Sequence, residues 1–404
     1  MISISRFAAL TIGILALLVL IGGLALWENV YDARSEGAIA RRIAVACEKL
    51  SGEPSDCYER EVPPLYPEFD VATLFGIIRE IRAIDPSYQF CHVLAHKLGE
   101  RVVAEDPARW TDAIALNPSD GLCSNGFIHG VIGGRFRAEV LDASTTEKLI
   151  PDFARACSPR EGWSPSDLDR AICYHGIGHL YVFITNADIR RALTICEQTV
   201  PDDFRRVCIE GVFMQIYQPL EPDDFLLIEQ MTVKPTRETV RSFCASFGDS
   251  EYVGACLRES WPFFAREIRR GTGIAAFCSG QPDARLEDLC YRSAFTIVGR
   301  LALGDQDRAV GACDNSPPER LEMCYSVLAQ SVFEEDRGNA GGALALCERA
   351  SPQVAAACVD WLISQAPFIF GSDTKERTQF CRALPSHKRQ ECFDIGARLS
   401  TDGA

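Results

Sequence analysis

The chain has 404 residues, 18 cysteines, six histidines and a formal net charge of −15, with 47% hydrophobic and 24% charged residues. Such a composition excludes wholesale disorder, and the length is ample for a large buried core, so the cysteines do not compensate for a small one. The acidic balance, with no lysine- or arginine-rich face standing out, argues against a nucleic-acid partner.

Residues 7–27 carry no charge; Arg6 precedes them, and Glu28 and Asp32 follow. About 20 apolar residues at ~1.5 Å rise cross a ~30 Å hydrocarbon core. Trp27 and Tyr31 stand where interfacial anchors belong. A cleaved signal peptide has a shorter apolar stretch and a small-residue cleavage site, whereas this one ends Leu24-Ala25-Leu26-Trp27. Residues 1–6 therefore read as a short cytoplasmic tail and 7–27 as an uncleaved single-pass membrane anchor. Eighteen regularly spaced cysteines suit an oxidising compartment, which puts the body in a periplasm or on a cell surface.

Residues 28–184 read as an irregular region of helical hairpins that carries the histidines. Cys47 and Cys57 enclose Gly52 and Pro54. Cys157 and Cys173 flank Ser158-Pro159-Arg160-Glu161 and a further helix start near Ser166. Cys91 and Cys123 pair by elimination. Five of the six histidines fall here, and His387 stands apart in a predicted surface turn. His92 and His96 are spaced four apart, as are His175 and His179, so each pair presents two imidazoles on one helix face.

Aligning segments on a cysteine relates three of them: Cys123-Ser124-Asn125-Gly126-Phe127-Ile128-His129, Cys173-Tyr174-His175-Gly176-Ile177-Gly178-His179 and Cys208-Ile209-Glu210-Gly211-Val212-Phe213-Met214. The second and sixth positions after the cysteine share a face and carry lone-pair donors. His92, His96 and Glu100 form a related stripe. The candidate metal ligands are thus His92, His96, Glu100, His129, His175, His179, Glu210 and Met214. Met214 with imidazoles suits copper, whereas imidazoles with Glu100 or Glu210 suit zinc or iron. Met214 taken alone fits core packing better than ligation. The recurring glycine costs a helix about 1 kcal/mol. It marks either close helix approach or a ligand lying against the backbone. Later segments place Glu259, Ser293, Val327, Trp361 and Ile395 there instead.

Residues 185–404 read as a repeat of about 34 residues. The cysteines pair as Cys196 with Cys208, Cys244 with Cys256, Cys278 with Cys290, Cys313 with Cys324, Cys347 with Cys358 and Cys381 with Cys392. From Cys256 onward the second member recurs every 34 residues, at Cys290, Cys324, Cys358 and Cys392. The longer step from Cys208 to Cys256 points to an insertion within 217–235. Ser316-Pro317-Pro318-Glu319 has helix-start chemistry, and Ser351-Pro352 and Ser386 look alike. The first cysteine then ends one helix and the second lies early in the next, which runs apolar at helical spacing through Cys358, Trp361, Leu362 and Gln365. Such hairpins bring their cysteines within disulfide range, and they must stack to bury their apolar faces.

In architecture this region resembles tetratricopeptide-like solenoids, particularly the secreted cysteine-rich kinds with one disulfide per hairpin. The resemblance implies an all-α, right-handed solenoid used as a support and docking surface for a protein partner. It carries over no functional residue, since the Trp-Leu-Gly-Tyr signature is absent.

The sequence has no His-Glu-x-x-His, Cys-x-x-Cys, Gly-x-Ser-x-Gly or Walker motif, and no catalytic residue can be assigned. Three readings remain open. The leading one is transition-metal binding by helices spanning 92–214. The others are a membrane-tethered protein-interaction scaffold with structural histidines, and a metal-dependent enzyme of unknown substrate.

Overall fold

The structure, a computed structural model, describes residues 34–49, 53–88, 90–136, 141–220, 222–301, 305–371 and 374–401. The expected anchor at 7–27 lies outside them. The described residues are helical, with one antiparallel bridge between Arg160 and Trp163 and no strand among them. Two compact units divide the chain after Tyr88.

In the first unit, α1 (Glu36–Glu48) packs on α3 (Val71–Ile84), and the Cys47–Cys57 disulfide staples α1 to α2 (Pro54–Glu61). Ile39, Ala40, Ile43 and Ala44 recur at helical spacing and face the core with Leu74, Ile77, Ile78 and Ile81. Ser35 and Asp70 cap the two helices by accepting from Ala38 N and Thr73 N.

The second unit begins with α4 (His92–Glu105), α5 (Gly126–Phe136), α6 (Ala143–Ala156) and α7 (Asp167–Ile184). Helix pairs follow: α8 (Ile189–Thr199) with α9 (Asp202–Tyr217), α10 (Val240–Ala245) with α11 (Ser250–Glu259), and α12 (Ile274–Cys278) with α13 (Ala284–Leu301). The last three are α14 (Gln306–Asp314) with α15 (Leu321–Glu335), α16 (Ala340–Glu348) with α17 (Pro352–Phe370), and α18 (Lys375–Ala383) with α19 (Ser386–Thr401).

As expected, the first helix of each pair ends around its cysteine and the second starts shortly before its own. Disulfides join these neighbours at Cα separations of 5.5–5.9 Å. Cys157–Cys173 ties the end of α6 to α7, and Cys196–Cys208 ties α8 to α9. Cys244–Cys256 joins α10 to α11, and Cys278 at the end of α12 bonds Cys290 in α13. Cys313 near the end of α14 bonds Cys324 in the first turn of α15. Cys347–Cys358 and Cys381–Cys392 close the last two pairs. With Cys47–Cys57 and Cys91–Cys123, no cysteine is left over. Each short loop so closed contributes at most about 3 kcal/mol through the unfolded chain.

The longer helices stack in the order α4, α5, α7, α9, α11, α13, α15, α17, α19, and α17 also returns to pack on α7. Leu168 of α7 thereby joins the core of the later hairpins, which includes the buried Cys290 and Cys324. Helix α17 is long and apolar enough to cross a membrane. It buries Leu362, Ile363, Ala366 and Ile369 and is stapled to α16 through Cys358.

Two local expectations change. Ser166 does start α7 with a capping box closed by Asp169, but Ser316 caps nothing: its hydroxyl donates back to Ala312 O at 2.9 Å, ending α14. Cys91–Cys123 does not staple a hairpin; it ties together the starts of α4 and α5. Cys123, Ser124 and Asn125 all have left-handed backbones (φ 63°, 51° and 53°). Asn125 therefore lies before α5, off the face that carries His129, and pairs with Asn117.

The glycines explain how closely the stack packs. A Cβ on the recurring Gly176 would meet the His129 ring at 2.6 Å; one on the recurring Gly126 or Gly211 would stand 2.5 Å from His92 O or 2.1 Å from His175 O, and one on Gly130, outside that pattern, 1.9 Å from His96 O. Backbone touches backbone at the last three, which selects close helix approach over a ligand as the reason for the recurring glycine. Gly130→Val should therefore lower stability by about 2–4 kcal/mol. Gly311→Ala, in α14 with nothing within 4 Å of the added carbon, should raise it by up to about 1 kcal/mol. Urea unfolding of both variants measures the contrast.

Candidate metal centre

Five imidazoles from α4, α5 and α7 form one contiguous group. Ring centroids lie 4.7 Å apart for His92 and His96, and His129 stands 5.4 Å from each of them. The chain continues with His129 at 5.8 Å from His175 and 5.7 Å from His179, which are themselves 4.8 Å apart. His92 is buried, at 8% exposure, while the other four are half-buried.

The same bond recurs at three successive helix contacts. His92 Nδ1 donates to Cys123 O at 3.1 Å, His129 Nε2 to Ile172 O at 2.9 Å and His175 Nδ1 to Val207 O at 3.1 Å. Each acceptor is the second cysteine of the next segment or the residue before it. A carbonyl only accepts, so these bonds fix the tautomers. His92 and His175 keep their lone pairs on Nε2, and His129 on Nδ1. His179 Nδ1 donates to Gln215 Oε1 at 2.7 Å, and Gln215 Nε2 in turn donates to Asp224. Metal-bound histidines are commonly oriented through the second ring nitrogen in this way.

His92, His96 and His129 each bring one ring nitrogen within 4.8 Å of the others, a group that can hold a metal ion. His92 Nε2 and His96 Nε2 are 3.1 Å apart. Two imidazole nitrogens on one tetrahedral ion stand about 3.3 Å apart, given bonds of ~2.05 Å. Next to this trio, His175 Nε2 lies 3.1 Å from Met214 Sδ.

Of the two candidate carboxylates, Glu210 is engaged elsewhere. Glu100 is half-buried one turn beyond His96, where Gly134 packs on its Cα. Glu210 accepts from Arg206 at 2.8 and 3.0 Å and from the fully buried Arg258 at 2.8 Å, so its oxygens serve a charge cluster. Burial opposes its ionised form, but Arg206 and Arg258 outweigh this and hold its carboxyl below the ordinary range. Glu259 behaves oppositely: burial, reinforced by Glu210, pushes it up to about 8, and Gln218 donates to it at 2.9 Å. His387 lies exposed in the first turn of α19.

Burial also keeps the imidazoles neutral and therefore ligand-competent. It pushes His129 down to about 3, with His179 adding to the effect, and it holds His92 and His175 well below the usual value, helped by neighbouring histidines and Arg300. Arg300, Gln215 and the three carbonyl acceptors were not indicated by the sequence. Gln215 follows Met214 directly, but only the returning Asp224 segment shows what holds it.

Comparison with protein families, with curated proteins and with solved structures finds no match to this chain.

Two pH dependences follow. Unfolded histidines titrate near 6.5. Below that pH the unfolded chain takes up protons that folded His92, His129 and His175 refuse, so stability falls as pH drops from about 6.5 towards 3. Melting of the metal-free protein should show a loss on the order of a few kcal/mol between pH 7 and 4, and His129→Gln should flatten it. Glu259 has the opposite slope. Between its unfolded value near 4.5 and its folded value of about 8, the folded state holds the extra proton, and stability falls as pH rises. Glu259→Gln should stabilise by about 1–3 kcal/mol at pH 8 and leave stability at pH 5 unchanged.

Proposed function

We propose that this chain is an extracytoplasmic transition-metal-binding protein whose ion is held by His92, His96 and His129, with His175, His179 and Met214 as an adjoining donor set. The carrying observation is the convergence of three ring nitrogens within 4.8 Å. The fixed tautomers support it, because each orienting bond turns a ring's lone pair away from its backbone acceptor. The second set adds a distinct argument. Neutral His175 has its proton on Nδ1, so Nε2 and Met214 Sδ meet at 3.1 Å as two lone-pair groups, an arrangement that a shared cation stabilises. Thioether with imidazole favours copper, and imidazoles alone accept zinc or iron.

Nine disulfides suggest an oxidising extracellular or periplasmic compartment. In this reading residues 7–27 hold the chain in the membrane, and the tetratricopeptide-like stack of later hairpins serves as a rigid support on which a protein partner docks.

Elemental analysis of protein secreted into an oxidising compartment and purified without chelators should find about one or two equivalents of copper, zinc or iron. The double variant His129→Ala with His179→Ala should lose the metal while keeping its helical circular dichroism. A parent protein that takes up none of the three ions, even after reconstitution, would sink the proposal and favour the histidines as packing elements of a scaffold.

A further inference from the structure

The acidic composition hides a local excess of the opposite charge. Arg237, Arg266, Arg269, Arg270 and Arg308 line one concavity of about 570 Å³, with Glu267 as the acid among its lining residues. An adjoining concavity of about 400 Å³ shares Arg269, Arg270 and Arg308. The expectation that no arginine-rich face stands out is thus corrected. These residues come from the segment before α10, the short helix Ala265–Ile268 and its following turn, and α14, so no run of basic residues announces them.

Glu267 is neutralised by Arg237, whose guanidinium bonds it at 2.7 Å and also donates to Phe263 O at 2.6 Å. Arg266, Arg269, Arg270 and Arg308 make no side-chain hydrogen bond or ion pair with any described residue. Nearby acids are otherwise engaged: Asp307 pairs with Arg349, and Asp305 accepts from Arg308 N to cap α14. Elsewhere the surface arginines sit mostly in ion pairs, as with Arg155–Asp152 and Arg285–Glu251. Arg266, Arg269, Arg270 and Arg308 are exposed and present like charge along one lining, so an anion that joins them is attracted by all four.

The backbone beneath them is fixed. Gly271 has φ +76°, and a Cβ there would stand 2.1 Å from Ala312 O. Asn315 Nδ2 donates to Arg270 O at 3.3 Å. The turn that carries Arg269 and Arg270 is therefore seated on the end of α14 beside Arg308.

We propose that this arginine-lined concavity is a binding site for a multiply charged phosphate ligand. Guanidinium forks match phosphate and carboxylate oxygens alike in pairs, so the fork disfavours a simple halide, and the gathering of four arginines favours a multiply charged phosphate over a lone carboxylate. The size of the concavities suits a polyphosphate or a phospholipid headgroup. The small footprint on a chain of charge −15 does not suit a nucleic acid.

The test is calorimetric titration of the full chain at low salt with inorganic tripolyphosphate and, separately, with glycerol 3-phosphate, the doubly charged headgroup of phosphatidic acid. We expect saturable binding that weakens as salt rises. The double variant Arg269→Glu with Arg270→Glu should bind at least about tenfold more weakly with an unchanged melting temperature. Tighter binding of tripolyphosphate assigns a soluble ligand, and tighter binding of the headgroup assigns a lipid surface. Arg308→Glu, on the other wall, gives the same readout should the double variant fold poorly. Arg155→Glu, a remote arginine, should bind like the parent. No saturable heat with either probe, or an equal loss in Arg155→Glu, overturns the proposal.

Discussion

The distance at which one helix backbone meets the next governs the histidine region. At Gly130 and Gly211 the partner's carbonyl occupies the space a side chain would need, so α4 meets α5, and α7 meets α9, with no side-chain layer between them at those points. At such spacing an imidazole on one helix reaches a carbonyl of the next, and between α5 and α7 it is the His129 ring itself that lies over Gly176. The three bonds to Cys123 O, Ile172 O and Val207 O are one contact repeated along the stack, and they turn a row of flexible side chains into a fixed array. The cost of burying neutral imidazoles is moderated because each of these three has its N–H satisfied.

Disulfides and glycines divide the work. Apart from Cys91–Cys123, which ties α4 to α5, the disulfides of the second unit act within pairs, holding each short helix to its long neighbour, and constrain the unfolded chain. The glycines act between long helices and determine how the layers sit on one another. The cluster draws on both: Cys91 immediately precedes His92, and Cys123 supplies the carbonyl that orients it. A metal site needs its donors held within a few tenths of an ångström, and rigid elements meet that need better than loops.

The sequence made some of this legible and hid the rest for physical reasons. Cysteine spacing revealed the pairs because both members of a hairpin lie close along the chain. The histidine register was visible because positions four apart share a helix face. Hidden were the relations that depend on distant segments meeting: α17 returning to α7, Gln215 braced by Asp224, and arginines from 237 to 308 gathered at one surface. Asn125 was misplaced because consecutive left-handed residues without glycine defeat a periodicity argument. The carbonyl acceptors could not be foreseen, since every residue has a carbonyl and only the helix crossing selects one. Glu210, in register with the histidines, turned instead to Arg206 and Arg258, for a carboxylate joins whichever cation packing brings nearest.

The return of the later hairpins to the first ones has a consequence for dissecting the protein. Arg337, in the turn between α15 and α16, bonds Asp169 of α7 at 2.5 Å and donates to Ser119 O, while its backbone N–H reaches Asp120 O. Glu335 accepts from Ser124, in the left-handed turn beside Cys123. A fragment cut before these hairpins would keep all five clustered histidines, yet it would strand the Asp169 carboxylate and unbrace the turn from which His92 takes its bearing. The histidine-bearing segment is thus not a portable module: its geometry is underwritten by residues more than a hundred and fifty positions downstream.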